Sequence, residues 1–192
     1  MKQMEETCYS FAVALEEAEK RLAKILNGRC KIKVYNDLDE ELIGIIQGIE
    51  KEKFSDEFRY VRDELIFRRG KKDFVCLVLD FEGRTIAFDI GYGDEEEEVF
   101  FSDDTATLIE GKGIGRTLFA LEIIYSNERG YKQTKLFTEE IDSEKRPLRQ
   151  IWSKMGFEVV SEDLNGGIEM RFAHTPGNIE SIYLKYILRS DF

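Results

Sequence analysis

The sequence has little of the residue types that build metal centres and disulfide frameworks. Its 192 residues include 3 cysteines and 1 histidine. The cysteines, Cys8, Cys30 and Cys76, are far apart, and no Cys-x-x-Cys pair occurs. Because structural zinc needs four closely grouped ligands, we expect no metal site. A sparse, odd cysteine count is typical of reduced thiols and indicates a cytoplasmic protein.

Positive charge and long apolar runs are also scarce. Lysine and arginine number 28 against 39 acidic residues, so the net charge is -11. Nonspecific nucleic-acid binding depends on basic faces, and we therefore expect no nucleic-acid partner. No uncharged apolar run approaches the roughly 18 residues of a membrane helix. The N-terminal residues alternate acidic and apolar and do not resemble a signal peptide. We expect an acidic protein with no membrane partner.

Length and 42% hydrophobic residues favour one domain over residues 1–192. Hydrophobic periodicity and capping residues predict helices at 3–26, 37–50, 55–67, 114–129, 145–155 and 179–188. Alternation and turn residues predict strands at 31–35, 73–80, 85–92, 98–108, 132–138, 157–161 and 168–172. Strand 98–108, helix 114–129 and strand 132–138 form a β-α-β unit with parallel strands, so the sheet must be mixed.

The most informative segment is Glu110-Gly-Lys-Gly-Ile-Gly-Arg-Thr117, which joins a strand to a helix. Its three glycines let the backbone approach a bulky ligand. The first amides of the helix point at that ligand, with the positive end of the helix dipole behind them. Lys112 and Arg116 add positive charge. The segment therefore predicts a phosphate or pyrophosphate site at the carboxyl end of the strand.

The segment does not match two common nucleotide-binding motifs. A phosphate-binding loop of the Walker type needs Gly-Lys-Ser/Thr, but Gly115 is followed by Arg116-Thr117. The dinucleotide fingerprint needs a third glycine where Leu118 stands. A methyltransferase-type Gly-x-Gly-x-Gly does match, although too few residues follow for its further β-α units. An S-adenosylmethionine-dependent methyltransferase therefore stays a lesser alternative, as does a glycine turn without a ligand.

The pattern resembles the GCN5-related N-acetyltransferase (GNAT) family. Residues 110–115 match its Arg/Gln-x-x-Gly-x-Gly/Ala motif with one change, and Ile151-Trp-Ser-Lys-Met-Gly-Phe157 resembles its second motif. The resemblance covers about residues 30–172. It implies an α+β fold in which helices flank a central mixed, mostly antiparallel sheet. Residues 1–28 and 173–192 would be N-terminal and C-terminal helical extensions.

The resemblance implies acetyl-CoA as co-substrate and direct attack by a primary amine. The expected cofactor-binding residues are Thr105, Thr107, Glu110, Gly111, Lys112, Gly113, Ile114, Gly115, Arg116, Thr117, Lys145 and Trp152. Three of these depart from the family pattern. Glu110 replaces arginine or glutamine, Lys145 replaces a frequent asparagine, and Trp152 replaces a tyrosine that protonates the leaving thiolate. Tryptophan cannot supply that proton.

The attacking amine must lose a proton, so a base is needed. Asp103, Asp104 and Glu98, on or beside the fourth strand, are the candidates. Asp103 and Asp104 are adjacent, and in a regular strand only one of them would face the site. A backbone amide near residues 105–107 would polarise the thioester carbonyl. The acid would be Ser153, Tyr125 or solvent.

The acceptor is suggested by acidic residues at the predicted ends of the strands. They are Glu95–Glu98, Glu139–Glu140 and Asp89. If they converge, they favour a cationic amine: a polyamine, a lysine side chain or a protein N-terminus. The terminal helices could cover the sheet, shape the acceptor pocket or build a homodimer, and the sequence does not choose among these roles. A non-catalytic acyl-CoA-binding module and a purely structural protein remain alternatives.

Overall fold

A computed structural model describes residues 9–54, 59–142 and 145–189 of the chain. The helices are α1 (Phe11–Leu26), α2 (Glu40–Lys53), α3 (Arg62–Ile66), α4 (Ile114–Glu128), α5 (Leu148–Met155) and α6 (Pro176–Ile182), which continues into a π-helical segment, Tyr183–Leu188. The strands are β1 (Cys30–Tyr35), β2 (Val75–Phe81), β3 (Arg84–Gly93), β4 (Val99–Thr107), β5 (Gln133–Glu139), β6 (Glu158–Glu162) and β7 (Gly167–Ala173).

The seven strands form one sheet in the order β1-β2-β3-β4-β5-β7-β6. Every neighbouring pair is antiparallel except β4 and β5, which are parallel and connected through α4. The predicted mixed, mostly antiparallel sheet is confirmed. The predicted strands agree with the observed ones to within about two residues because each has a clear apolar pattern bounded by turn residues.

Helices cover both faces of the sheet. On one face α1, α4 and the C-terminal helix pack together, with Ala14, Leu118 and Ile182 in the same buried core. On the other face α2 and α3 cover the first four strands, and Leu42, Leu65 and Phe88 belong to one buried core. Both predicted extensions thus add apolar side chains to the core on the α4 face. No helix in the described part of the chain is long and apolar enough to cross a membrane.

Three predicted helices are longer than the observed ones. The helix predicted at 3–26 begins at Phe11, and residues 3–8 lie outside the described residues. Of the helix predicted at 55–67, only Arg62–Ile66 is helical, and residues 55–58 lie outside the described residues. The helix predicted from residue 145 begins at Leu148. Lys145 has a left-handed backbone, φ +63°, and Arg146 precedes Pro147, which disfavours helical backbone there.

Candidate active site

The glycine-rich turn opens α4 without a side-chain cap. Gly111 and Gly113 both have φ of +72°, which glycine adopts readily, and Gly113 is the N-cap residue. Gly113 has no side chain and so makes no side-chain cap hydrogen bond to this N-terminus. The first N–H groups of a helix have no partner within the helix, so those of Ile114, Gly115 and Arg116 are free to bind an anion. The side chains of Lys112 and Arg116 are exposed beside them.

The parallel strands β4 and β5 separate partway along their length. They pair only from Val99–Gln133 to Phe101–Lys135, although both strands continue beyond. The N–H of Leu108 donates to the Ile86 carbonyl on the β3 side (2.8 Å). By strand alternation, the N–H groups of Thr105 and Thr107 point towards the gap between β4 and β5. The gap leads directly to the glycine turn.

Two cations neutralise Glu110, the residue that departs from the family motif. Its carboxylate pairs with Lys53 at the end of α2 and lies 3.8 Å from Nη1 of Arg146. The hydrogen bond from Lys53 holds the pKa of Glu110 below its usual value. A carboxylate beside a pyrophosphate would be repulsive in isolation. Here Lys53 and Arg146 offset that repulsion, and neither partner could be deduced from the sequence.

Thr117 and Thr107 fix the two ends of the turn. The Thr117 side chain is buried, and its hydroxyl accepts a hydrogen bond from Arg21 of α1 and lies 3.1 Å from the Gly113 carbonyl. It therefore faces the core, as the buried Ile114 side chain also does. The Thr107 hydroxyl accepts from the N–H of Ile109 (3.3 Å) and donates to its carbonyl (3.1 Å).

The second motif places a half-buried aromatic side chain against the core beside α4. The Trp152 ring lies 4.7 Å from that of Phe119 and 6.1 Å from that of Phe157, centroid to centroid. Lys145 is exposed in the turn before α5. Arg149 on the surface of α5 bridges Glu140 (3.0 Å) and Glu162 (3.1 Å).

A β-bulge changes the orientation of the two aspartates. Ile90 pairs with Asp104 and Gly91 pairs with Ser102, so Asp103 is an extra residue in β4. Asp103 and Asp104 therefore both lie on the α2–α3 face, and the expectation that they point to opposite faces is wrong. The expectation assumed an unbroken alternation, which a bulge interrupts.

The two aspartates differ in their partners. Arg68 donates two hydrogen bonds to Asp103, from Nε to Oδ2 and from Nη2 to Oδ1 (3.1 Å). The side chains of Arg68 and Asp103 are only 9% and 8% exposed. Asp104 accepts from the N–H of Thr105, which places its carboxyl beside the gap. Burial, with Asp103 and Glu50 nearby, raises the pKa of Asp104 to about 7.

Asp103, Asp104 and Arg68 form a buried cluster with Glu50 of α2. No sequence motif indicated Glu50. It is 1% exposed, and its Oε2 has no hydrogen-bond partner among the described residues. Burial raises its pKa. The ring of Tyr60 stacks on the guanidinium of Arg68 (4.2 Å), and burial raises the pKa of Tyr60 and of Tyr92 beside it. The cluster therefore contains more carboxyls than cations.

Several predicted site residues lie elsewhere. Glu98 precedes β4, about 20 Å along the strand from Asp104, and its carbonyl accepts from Lys132 (2.8 Å). Ser153 lines a cavity of about 130 Å³ against the C-terminal helix, on the other side of the sheet from Asp103. Tyr125 is buried in the α4 core, with its hydroxyl 3.3 Å from Asn36. Sequence proximity does not bring these side chains to the gap.

The acidic residues that would favour a cationic amine if they converged lie apart from one another. Glu96 is paired with Arg171 (2.7 Å) and Glu140 with Arg149, both on the surface. Asp89 is completely buried on the α4 face. No group of three or more metal-ligating side chains is placed to hold a metal ion within residues 9–54, 59–142 and 145–189.

Comparison with solved structures finds many with the same architecture. The ribosomal-protein-S18-alanine N-acetyltransferase from Escherichia coli is 16% identical, with a TM-score of 0.59 over 74% of this chain and 93% of that chain. An acyl-CoA N-acyltransferase from Pseudomonas aeruginosa is 17% identical, with a TM-score of 0.61 over 75% and 99%. Aminoglycoside 6'-acetyltransferase type Ii is 15% identical, with a TM-score of 0.59 over 74% and 96%. No protein-family model and no curated protein sequence matches the chain. Likeness at these identities shows a shared fold.

Proposed function

Because this chain has the fold of the GCN5-related N-acetyltransferases, we propose that it is an acetyl-CoA-dependent N-acetyltransferase acting on a primary amine. One observation carries the proposal. The gap where β4 and β5 separate leads directly into the uncapped N-terminus of a 15-residue helix. An elongated ligand with a pyrophosphate fits these two features together. The mostly antiparallel sheet does not support the methyltransferase alternative.

The residues of the turn suit a pyrophosphate. Backbone N–H groups over 111–116 and the side chains of Lys112 and Arg116 would hold it, while Lys53 and Arg146 keep Glu110 neutralised. Acetyl-CoA would supply an acyl group as a thioester, and the gap is where its pantetheine arm would lie. The N–H of Thr107 would donate to the carbonyl oxygen as negative charge develops on it.

Asp104 is the proposed base. Its carboxyl lies beside the gap, and a pKa of about 7 suits a group that accepts a proton near neutral pH. It would take the proton from the amine nitrogen as that nitrogen bonds to the thioester carbon, and the C–S bond would then break to release the CoA thiolate. Asp103 is held by Arg68 and would remain ionised as part of the support. The excess of carboxyls over cations around Asp104 favours an acceptor that is cationic in solution.

The structure favours one second candidate, a non-catalytic acyl-CoA-binding module. Trp152 packs against the core, and neither Ser153 nor Tyr125 approaches the gap. Neither of the side chains that the sequence suggested as the acid, Ser153 and Tyr125, therefore lies where it could protonate the leaving thiolate. Since a free thiol has a pKa near 8.5, solvent protonation would slow turnover without abolishing it. Cytoplasmic location and a homodimer stay predictions from the sequence.

Calorimetric titration with acetyl-CoA tests the site. We expect micromolar binding by the wild type and its loss in the double variant Gly113→Glu, Gly115→Glu. The matched control is Gly44→Glu, Gly48→Glu, which adds the same charge at two open positions on the outer face of α2. Release of free thiol in the presence of primary amines then separates an enzyme from a binding module. Absence of binding to folded wild type would overturn both.

A further inference from the structure

Two acidic side chains that the proposed chemistry does not use meet inside the core. Asp89 of β3 and Glu122 of α4 are both 0% exposed. None of their four carboxylate oxygens has a hydrogen-bond donor among the described residues. The hydroxyls of Thr105 and Ser102 are the polar neighbours of the pair, and that of Thr105 donates to the Phe88 carbonyl (3.2 Å). Two buried, uncompensated carboxylates side by side would be strongly destabilising.

Close packing shows that the fold accommodates this pair. A Cβ on Gly91 would overlap Oε2 of Glu122 and the ring of Phe100, so the Glu122 carboxyl lies directly against the backbone of β3. The two carboxyls are placed to hydrogen-bond to one another. Since an ionised carboxylate only accepts, that bond exists only when one of the two carries a proton.

The charged groups near the pair do not stabilise its ionised form. The titratable groups whose charge acts on it are Asp103 and Asp104 of β4 and the Cys76 thiol of β2, which lie across the sheet on the α2–α3 face and all ionise to anions. The other polar neighbours are the hydroxyls of Ser102 and Thr105. Burial raises the pKa of Asp89 to about 7 and the pKa of Glu122 well above its usual value.

The pair connects the two elements of the proposed acyl-CoA site. Asp89 lies directly opposite Thr105, whose N–H points towards the gap. The Thr105 hydroxyl lies 3.9 Å from where a Cβ on Gly115 would be, in the first turn of α4. Glu122 lies two turns further along the same helix. A bond between Asp89 and Glu122 therefore fixes α4 against the strands that border the gap.

We propose that Asp89 and Glu122 share one proton and act as positioning residues that hold α4 against β3 beneath the acyl-CoA site. The claim that the pair positions α4 for ligand binding rests on the proposed function, whereas the claim that the two carboxyls share a proton does not. When the proton is lost, the two carboxylates repel, α4 is held less firmly, and the glycine turn binds its ligand less well. The pair thus couples cofactor binding to pH.

The test compares wild type with the double variant Asp89→Asn, Glu122→Gln, whose amides keep the shape and hydrogen-bond each other but do not titrate. Glu158→Gln, exposed on β6, is the control. Thermal midpoints are measured from pH 5.5 to 8.5. We expect the wild type and control to lose stability as pH rises and the double variant to lose distinctly less. An equal loss in the double variant would overturn the shared proton.

Infrared spectroscopy provides a second measurement, one outcome of which needs only the wild type. A carbonyl band of a protonated carboxylic acid at pH 6.5, shielded from deuterium exchange in the wild type and lost from the double variant, supports the pair, because Asp104 is also protonated at this pH and is common to both proteins. Absence of the band from the wild type, or its full retention in the double variant, contradicts the pair. Calorimetry with acetyl-CoA then tests positioning. We expect the dissociation constant of the wild type to rise several-fold from pH 6.5 to 8.5 and that of the double variant to change less. If the dissociation constants of the two proteins change equally with pH, the pair does not position α4 for binding. If the wild type binds acetyl-CoA at no pH, the proposed function is refuted, while the thermal and infrared results still decide whether the proton is shared.

Discussion

The same substitution at two adjacent residues should affect the melting temperature differently: Asp103→Asn should lower it, and Asp104→Asn should not. Asp103 forms a two-point ion pair with Arg68 in which both side chains are less than a tenth exposed. Removing one partner of a buried pair leaves the other charge uncompensated and costs about 3–5 kcal/mol. For a domain of this size each kcal/mol lowers the melting temperature by about 2–4 °C. Asp103→Asn should therefore melt about 6–20 °C below the wild type.

Asp104→Asn should leave the melting temperature unchanged or raise it at pH 8. The pKa of Asp104 is raised to about 7, so the folded state disfavours its ionised form, and an amide removes that penalty. Circular dichroism melts at pH 8 measure both variants against wild type. If Asp103→Asn melts within 2 °C of the wild type, or if Asp104→Asn is the less stable variant, the assignment of Asp103 to support and Asp104 to chemistry is refuted.

Three further predictions follow from the site and its surroundings. The kcat/KM of amine acetylation should rise with pH and level off above about 7 as Asp104 ionises, and Asp104→Asn should lower it by about 10²–10⁴-fold in a thiol-release assay. Gly91→Ala should lower the free energy of unfolding by about 1–3 kcal/mol because its methyl group overlaps Glu122, whereas Gly44→Ala, with open space around it, should raise that free energy by up to about 1 kcal/mol, as denaturant titration would show. Burial lowers the pKa of His174 to about 4, whereas the unfolded chain takes up this proton near pH 6.5. The free energy of unfolding should therefore fall by about 3 kcal/mol between pH 6.5 and 4. A His174→Gln variant whose free energy of unfolding falls by the same amount would contradict this.

The glycine turn illustrates what a sequence can predict about a site. Glycines at 111 and 113 take left-handed backbone, and the helix begins at Ile114, as the pattern predicts. Both features depend on residues within a few positions of one another, so local sequence is sufficient. The ion pair of Glu110 with Lys53 depends on a residue 57 positions away, and nothing near Glu110 indicates it.

The catalytic candidates illustrate the limit. Glu98 lies on the predicted fourth strand and Ser153 lies within the second motif, but the fold places Glu98 at the far end of β4 and Ser153 beside the C-terminal helix. Glu50 carries no motif and lies in the cluster. The pKa of Asp104 is set by burial and by neighbours on other elements, and neither is a property of its own segment.

By itself the sequence determined the order of strands and helices, the parallel β-α-β unit and the glycine turn, because hydrophobic periodicity and backbone preference act over a few residues. Only the tertiary structure decided that Asp103 is an extra residue in a bulge, that Arg68 takes one aspartate and leaves the other, and that Asp89 lies buried against Glu122. These outcomes depend on which distant side chains the folded core brings together. Burial then changes the energy of each charge according to its partners, and those partners exist only after folding.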